Sequence, residues 1–181
     1  MRFNILGKAT AGIIFFGVAM FGNGSVNDVE LTAKAIHQVR MYSRYSLWDN
    51  IDVRTVNGDV ELQGEVSQPY KKSDLQRIVQ RIPGVVSVTN DLHVLPVSFM
   101  DDQLRVQVAR ALFRDPVLSQ YSLQAVPAIH IIVDNGHVTL EGVVNNEMER
   151  NVAAIRANGA GLSFGTVTNH LRVETPSKTK S

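Results

Sequence analysis

The stretch Val56–Val66 reads V-N-G-D-V-E-L-Q-G-E-V, and Asp134–Val144 reads D-N-G-H-V-T-L-E-G-V-V, so one unit occurs twice. In each copy an Asn-Gly pair, Asn57-Gly58 and Asn135-Gly136, stands between alternating apolar runs. That pair is favoured where two successive turn residues need positive φ, and it predicts a two-residue hairpin. Such a turn fixes the register. Counting outward, Thr55 faces Val60, Val53 faces Leu62 and Ile51 faces Gly64, while Val133 faces Val138, Ile131 faces Leu140 and Ile129 faces Gly142. One face of each hairpin is then apolar. The other sets Arg54 against Glu61, His130 against Glu141 and Ile132 against Thr139, pairs that suit a solvated or lightly covered surface. Gly64 and Gly142 recur on the apolar face, where they read as structural residues leaving room for a packed helix.

Outward from the first hairpin, Leu31, Ala35, Val39 and Tyr42 fall at helical spacing over Asp28–Tyr42, with Asp28 and Glu30 favourably placed at the start. After the hairpin, Ser67 is the expected cap of a helix with Pro69 in its first turn and a stripe of Leu75, Ile78, Val79 and Ile82, ended by Pro83-Gly84. Val85–Val94 follows as a third strand, with Val86, Val88, Asn90, Leu92 and Val94 on one side. The second unit repeats this order. Leu104, Val108, Ala111 and Leu112 mark its first helix, Met148, Val152 and Ile155 its second, and Phe164–Val173 its last strand. V-T-N-H-L-R-V (Val167–Val173) matches V-T-N-D-L-H-V (Val88–Val94) almost letter for letter. Asn90 and Asn169 recur at matched strand positions, which points to a structural hydrogen bond rather than chemistry.

The expected organisation is two small α+β domains, 28–94 and 101–173, joined by a short link 95–100 that contains Pro96. Met1–Gly24 has a basic start (Arg2, Lys8), an apolar run and then small residues, the layout of a secretory signal; an uncleaved anchor is the alternative. Residues 174–181 read as a disordered tail rich in Ser, Thr and Lys. The whole chain carries a formal net charge of +1 and no cysteine, which excludes disulfides and thiol chemistry. Without Arg2 and Lys8 it becomes slightly acidic, unlike a general nucleic-acid binder.

Helix, hairpin, helix and strand, with G-x-V-x-L-x-G-x-V at Gly58–Val66 and Gly136–Val144 and V-x-N-x-L-x-V after them, resembles the BON domain. Two copies behind a leader resemble the tandem-BON periplasmic proteins of the OsmY type. The resemblance implies tandem α-β-β-α-β domains, each a three-stranded mixed sheet covered by two helices. It also implies non-catalytic binding to phospholipid or envelope components, often linked to envelope or osmotic stress, in a periplasmic or secreted protein at the membrane periphery. The motif residues themselves carry no transferable binding role.

Comparison of the two copies singles out one surface. With Leu31 matched to Leu104, the outer face of the first helix shows Ala33, His37 and Arg40, whereas the second domain's shows Val106, Arg110 and Phe113 with Arg105 and Arg114 alongside. An apolar strip fringed by arginines suits a peripheral contact with anionic phospholipid. The alternative is that Val106 and Phe113 pack against the first domain. The alternative function is that of a periplasmic protein-binding adaptor or chaperone, with an envelope protein as the partner.

Enzyme chemistry finds no support. His37, His93, His130, His137 and His170 form no H-E-x-x-H pattern, and no nucleophile elbow, Walker or Rossmann glycine pattern occurs. His130, His137, Glu141 and Asp134 read as exposed cross-strand partners rather than as a metal site. Neither a catalytic residue nor a metal, cofactor, nucleic acid or small-molecule substrate is expected.

Overall fold

The computed structural model describes residues 26–124, 126–160 and 166–174. The expected leader, Met1–Gly24, and residues 175–181 of the expected tail lie outside them, as does Phe164 at the expected start of the last strand.

In the first domain α1 (Val26–Arg40) leads to the hairpin β1 (Asn50–Val56) and β2 (Asp59–Val66), followed by α2 (Pro69–Gln80), β3 (Ser87–Asn90) and β4 (His93–Val94). The second domain repeats this as α3 (Phe99–Phe113), β5 (Ile129–Asp134), β6 (His137–Val144), α4 (Glu147–Asn158), β7 (Val167–Asn169) and β8 (Arg172–Val173). Both hairpins adopt the expected register, with Val53 opposite Leu62 and Ile131 opposite Leu140. Their turns have positive φ at both central residues, 54° and 84° at Asn57-Gly58 and 49° and 82° at Asn135-Gly136. Each sheet is mixed: β2 and β6 are central, antiparallel to the preceding strand and parallel to the following ones.

The third strand is one line broken in two. Leu62 pairs with Asn90 and Glu65 with His93, so β3 and β4 keep one register across the gap. Asn90 stands at the break. Its Nδ2 donates to Lys72 O of α2 at 2.8 Å while its Oδ1 accepts from Leu92 N at 3.4 Å. Asn169 does the same between Arg150 O and Leu171 N, at 2.9 and 3.1 Å. These asparagines tie sheet to helix. Val86, expected on the inner side of this strand, precedes it and is exposed.

Helices pack on the apolar face of each sheet. Leu31, Ala35 and Val39 of α1 meet Leu75 and Val79 of α2 over Val60, Leu62 and Val66; Val108 and Leu112 of α3 meet Ala153 and Ala157 of α4 over Ile131, Val138 and Leu140. The glycines on that face do not make room for a helix. Gly64 and Gly142 have φ of 108° and 121°, and a Cβ there would come closer than 3.0 Å to the carbonyl oxygen of Asn50 or Ala128 on the neighbouring strand. The close approach is by the hairpin's own backbone, at a bulge-like kink.

Two further expectations change. Ser67 does not cap α2; the N-cap is Gln68 without a side-chain bond, and Ser67 Oγ donates instead to Asp49 Oδ1 at 2.9 Å. In the second domain Asn146 caps α4, accepting from Glu149 N at 2.9 Å. The link between domains is also shorter than 95–100, because Ser98 caps α3 and the helix starts at Phe99.

Candidate functional site

Asp28 and Asp101, one turn into α1 and α3, are buried and reach across to the hairpin turns. Asp28 accepts from Asn57 N and Gly58 N at 2.9 and 3.0 Å, and Asp101 from Asn135 N and Gly136 N at 3.1 and 2.8 Å. A carboxylate between two backbone N–H groups fixes each helix to its hairpin. This sets which face of α3 points outward.

Asp101, Arg105, Val108 and Leu112 face inward, and Arg105 is only 6% exposed. Its guanidinium pairs with Asp102 and donates to Val133 O at 2.8 Å. The sequence reading placed Arg105 beside an exposed strip, and the structure removes it: the cation is engaged at the outer edge of β5. Phe113 is removed too. It is half-buried against the second domain's own core, because 114–124 folds back with Val117, Leu118 and Tyr121 and supplies a second wall the sheet does not. Of the five expected residues Val106, Arg110 and Arg114 remain exposed. The sequence reading missed Phe99 and Met100, at the start of α3, which are 73% and 71% exposed. Helical rotation of about 100° per residue puts Phe99, Val106 and Arg110 within about 40° of one another, with Arg114 beside them. Val97, 87% exposed, adjoins this end of the helix. The signal for Phe99 was available in its i, i+7 spacing to Val106, but the residue was assigned to the link.

The two domains touch through Ser43–Asp49, the loop between α1 and β1. Leu47 O accepts from Ile131 N at 2.7 Å, at the outer edge of β5, and Leu47 and Trp48 pack against the second domain's core. Tyr45 lies beside His130, Oη to Nε2 at 3.3 Å. The hairpin face that reads as solvated is therefore covered here: His130 and Ile132 are buried. His137 stays exposed, its Nδ1 2.9 Å from Thr166 Oγ1, and His170 Nδ1 lies 2.6 Å from Glu141 Oε1. Among the described residues no group of three or more His, Asp or Glu is placed to hold a metal ion.

Asp49 anchors this loop. Its fully buried carboxylate accepts from the backbone N–H and hydroxyl of Ser46 (2.9 and 2.7 Å), from those of Ser67 (2.8 and 2.9 Å) and from Lys71 Nζ (2.6 Å). At the place of Lys71 the second domain has Glu149, which accepts from Tyr121 Oη at 2.6 Å and Asn145 N at 2.9 Å. One position thus carries opposite charges in the two domains, each with partners of its own.

Burial lowers the pKa of His130 below its usual value, against the opposing pull of the Asp49 carboxylate. The docked state therefore holds fewer protons than the undocked one, so this contribution to docking is complete above pH about 6.5 and is lost as pH falls below it. Trp48, the single tryptophan, reports the contact. Its emission is expected to shift to the red between pH 7 and 5, and the shift is expected to shrink in His130→Gln. An unchanged titration in that variant would assign the transition elsewhere.

Beside the docking loop, the domains leave a cleft of about 790 Å³. Ile36 and Arg40 of α1 and the edge strand β1 line one side; Glu141, Val143 and Arg172 line the other.

The chain belongs to the BON-domain family, whose model matches it twice, over residues 27–96 and 100–175. BON domains occur in envelope and osmotic-stress proteins, bind phospholipid and are generally non-catalytic; proteins carrying them are typically periplasmic or membrane-associated. No helix among the described residues is long and apolar enough to cross a membrane. No curated protein matches the sequence. Two solved structures of CdsD, a structural protein of the type III secretion system of Chlamydia trachomatis, are similar to it. They share 16% and 15% identity over 83% and 84% of this chain and 99% and 94% of theirs, with a TM-score of 0.27 each. At that score the likeness carries no argument.

Proposed function

We propose that this protein is a non-catalytic envelope protein that binds anionic phospholipid surfaces through the outer face of α3. The observation that carries the reading is the exposure of Phe99 and Met100 at the start of a helix whose same face continues through Val106 to Arg110 and Arg114. Apolar side chains enter the interfacial region while guanidinium groups meet lipid phosphates, the division of labour of a peripheral helix. Asp102 opposes this little, because Arg105 neutralises it. In the first domain Glu30 pairs with Lys34 and α1 carries one arginine, Arg40, although Val29 near its start and Met41 just past its end are exposed. The leader-like pattern of Met1–Gly24 supports an exported protein held at the membrane by this contact.

Flotation with vesicles tests the reading. Binding to anionic vesicles at low salt is expected, falling as salt screens the charges, with none to zwitterionic vesicles. Arg110→Glu with Arg114→Glu should weaken it by at least about tenfold, since each cation near a charged surface contributes about 1 kcal/mol. Phe99→Ser should weaken it by about as much through lost apolar burial. Undiminished flotation of both variants would eliminate this face.

A further inference from the structure

We propose that the second domain meets an anionic bilayer through α4 as well as α3, with Met148 and Ile155 entering the lipid interface beside Phe99 and Met100. This extends the α3 contact proposed above and rests on it.

The two domains differ at this surface. Matching the Asn-Gly turns sets Tyr70, Asp74 and Arg77 of α2 at the places of Met148, Val152 and Ile155 of α4. In the first domain these positions are polar and engaged: Asp74 pairs with Arg77 and accepts from Tyr42 Oη at 2.6 Å, and the Arg44 guanidinium stands 5.2 Å from the centre of the Tyr70 ring. In the second domain they are apolar, and Met148 and Ile155 are 60% and 67% exposed. The fold does not require apolar residues there, because the first domain does without them.

Placement joins the two helices into one surface. Glu149, Ala153 and Ala157 form the buried face of α4. At about 100° per residue, Met148 and Ile155 lie about 20° from each other and about 140–160° from the centre of that face. Both helices pack on the same face of one sheet, so this outward side looks the same way as that of Phe99, Val106 and Arg110. Packed helices stand about 8–10 Å apart, and two such ridges offer a surface broad enough to rest on a plane.

Charge selects the occupant. On α3, α4 and the turn after α3, Asp101 and Glu149 are buried, while Asp102 pairs with Arg105, Asp115 with Arg156 and Glu147 with Arg150. Arg110 and Arg114 are left exposed, without an ion pair among the described residues. The helical layer is balanced as a whole, but its unpaired carboxylates are on the inner side and its unpaired cations on the outer. A second copy docked through this face would set arginine against arginine, whereas lipid phosphates complement it.

The chain has no cysteine, so a single environment-sensitive fluorophore can be attached at Met148→Cys, at Phe99→Cys or, as the first-domain match, at Tyr70→Cys. With vesicles of phosphatidylglycerol and phosphatidylcholine, the emission of the first two is expected to shift to the blue and to be quenched by lipid-borne nitroxide, and that of the third to stay unchanged. Phosphatidylcholine alone should give neither effect. Met148→Ser with Ile155→Ser should keep the circular dichroism of the parent protein and weaken flotation by at least about tenfold through lost apolar burial. If the Phe99→Cys label enters lipid while the Met148→Cys label stays in water, or if the double serine variant floats as well as the parent, α4 takes no part and the α3 contact stands alone. No lipid signal from either label would overturn both. A blue shift of the Met148→Cys label that grows with protein concentration without vesicles would make a second copy the occupant and overturn the role of α4 in lipid binding.

Discussion

Asp49→Ala is expected to destabilise the first domain by about 3–5 kcal/mol, the usual consequence of removing one partner from a buried ion pair. The loss is large because the carboxylate has five donors, and Lys71 would stay buried with only the hydroxyls of Ser46 and Ser67 near its ammonium. Urea unfolding followed by circular dichroism measures it. A second readout separates structure from docking: the loop that Asp49 closes carries Leu47 and Trp48 to the second domain, so tryptophan emission should move to the red before the bulk of the helix is lost. Adding Lys71→Met should recover part of the stability, since the uncompensated charge is then gone. A cost below about 1 kcal/mol for Asp49→Ala would mean that the pair is solvated and contributes as a surface pair does.

Gly142→Ala should destabilise the second domain by a similar amount, about 3–5 kcal/mol, from two additive sources. Its φ of 121° is strained for any side chain, and the new Cβ would press on Ala128 O, which accepts the Val143 N–H at 2.9 Å. Gly136→Ala is the control. It also has positive φ, 82°, but a Cβ there meets nothing within 4 Å, so only conformational strain remains, about 1 kcal/mol. Thermal unfolding of both variants would show the contrast; equal losses would remove the steric argument.

Much of the fold was legible because the information is local. The Asn-Gly turns, the period-two runs beside them and the helical stripes ending at Val39 and Leu112 depend on near neighbours in sequence, and the duplication stated each twice. Asn90 and Asn169 were legible as structural residues for the same reason. The candidate surface was only partly legible. A helical wheel assumes a single wall, and Phe113 met a second one built by Leu118 and Tyr121. Arg105 reads as a surface cation because nothing nearby in sequence shows that Val133 O, on another element, lies within its reach.

The sequence by itself determined the repeat, the order of elements, both hairpin registers and the family, since turn chemistry and periodic burial act over a few residues. Only the tertiary structure decided how the domains meet, which polar groups are buried and which face of α3 is free. Those depend on contacts such as Leu47 with Ile131 and Lys71 with Asp49, whose partners lie far apart in the chain. A buried charge or a covered edge is set by whatever folds over it, and no local pattern of residues records that.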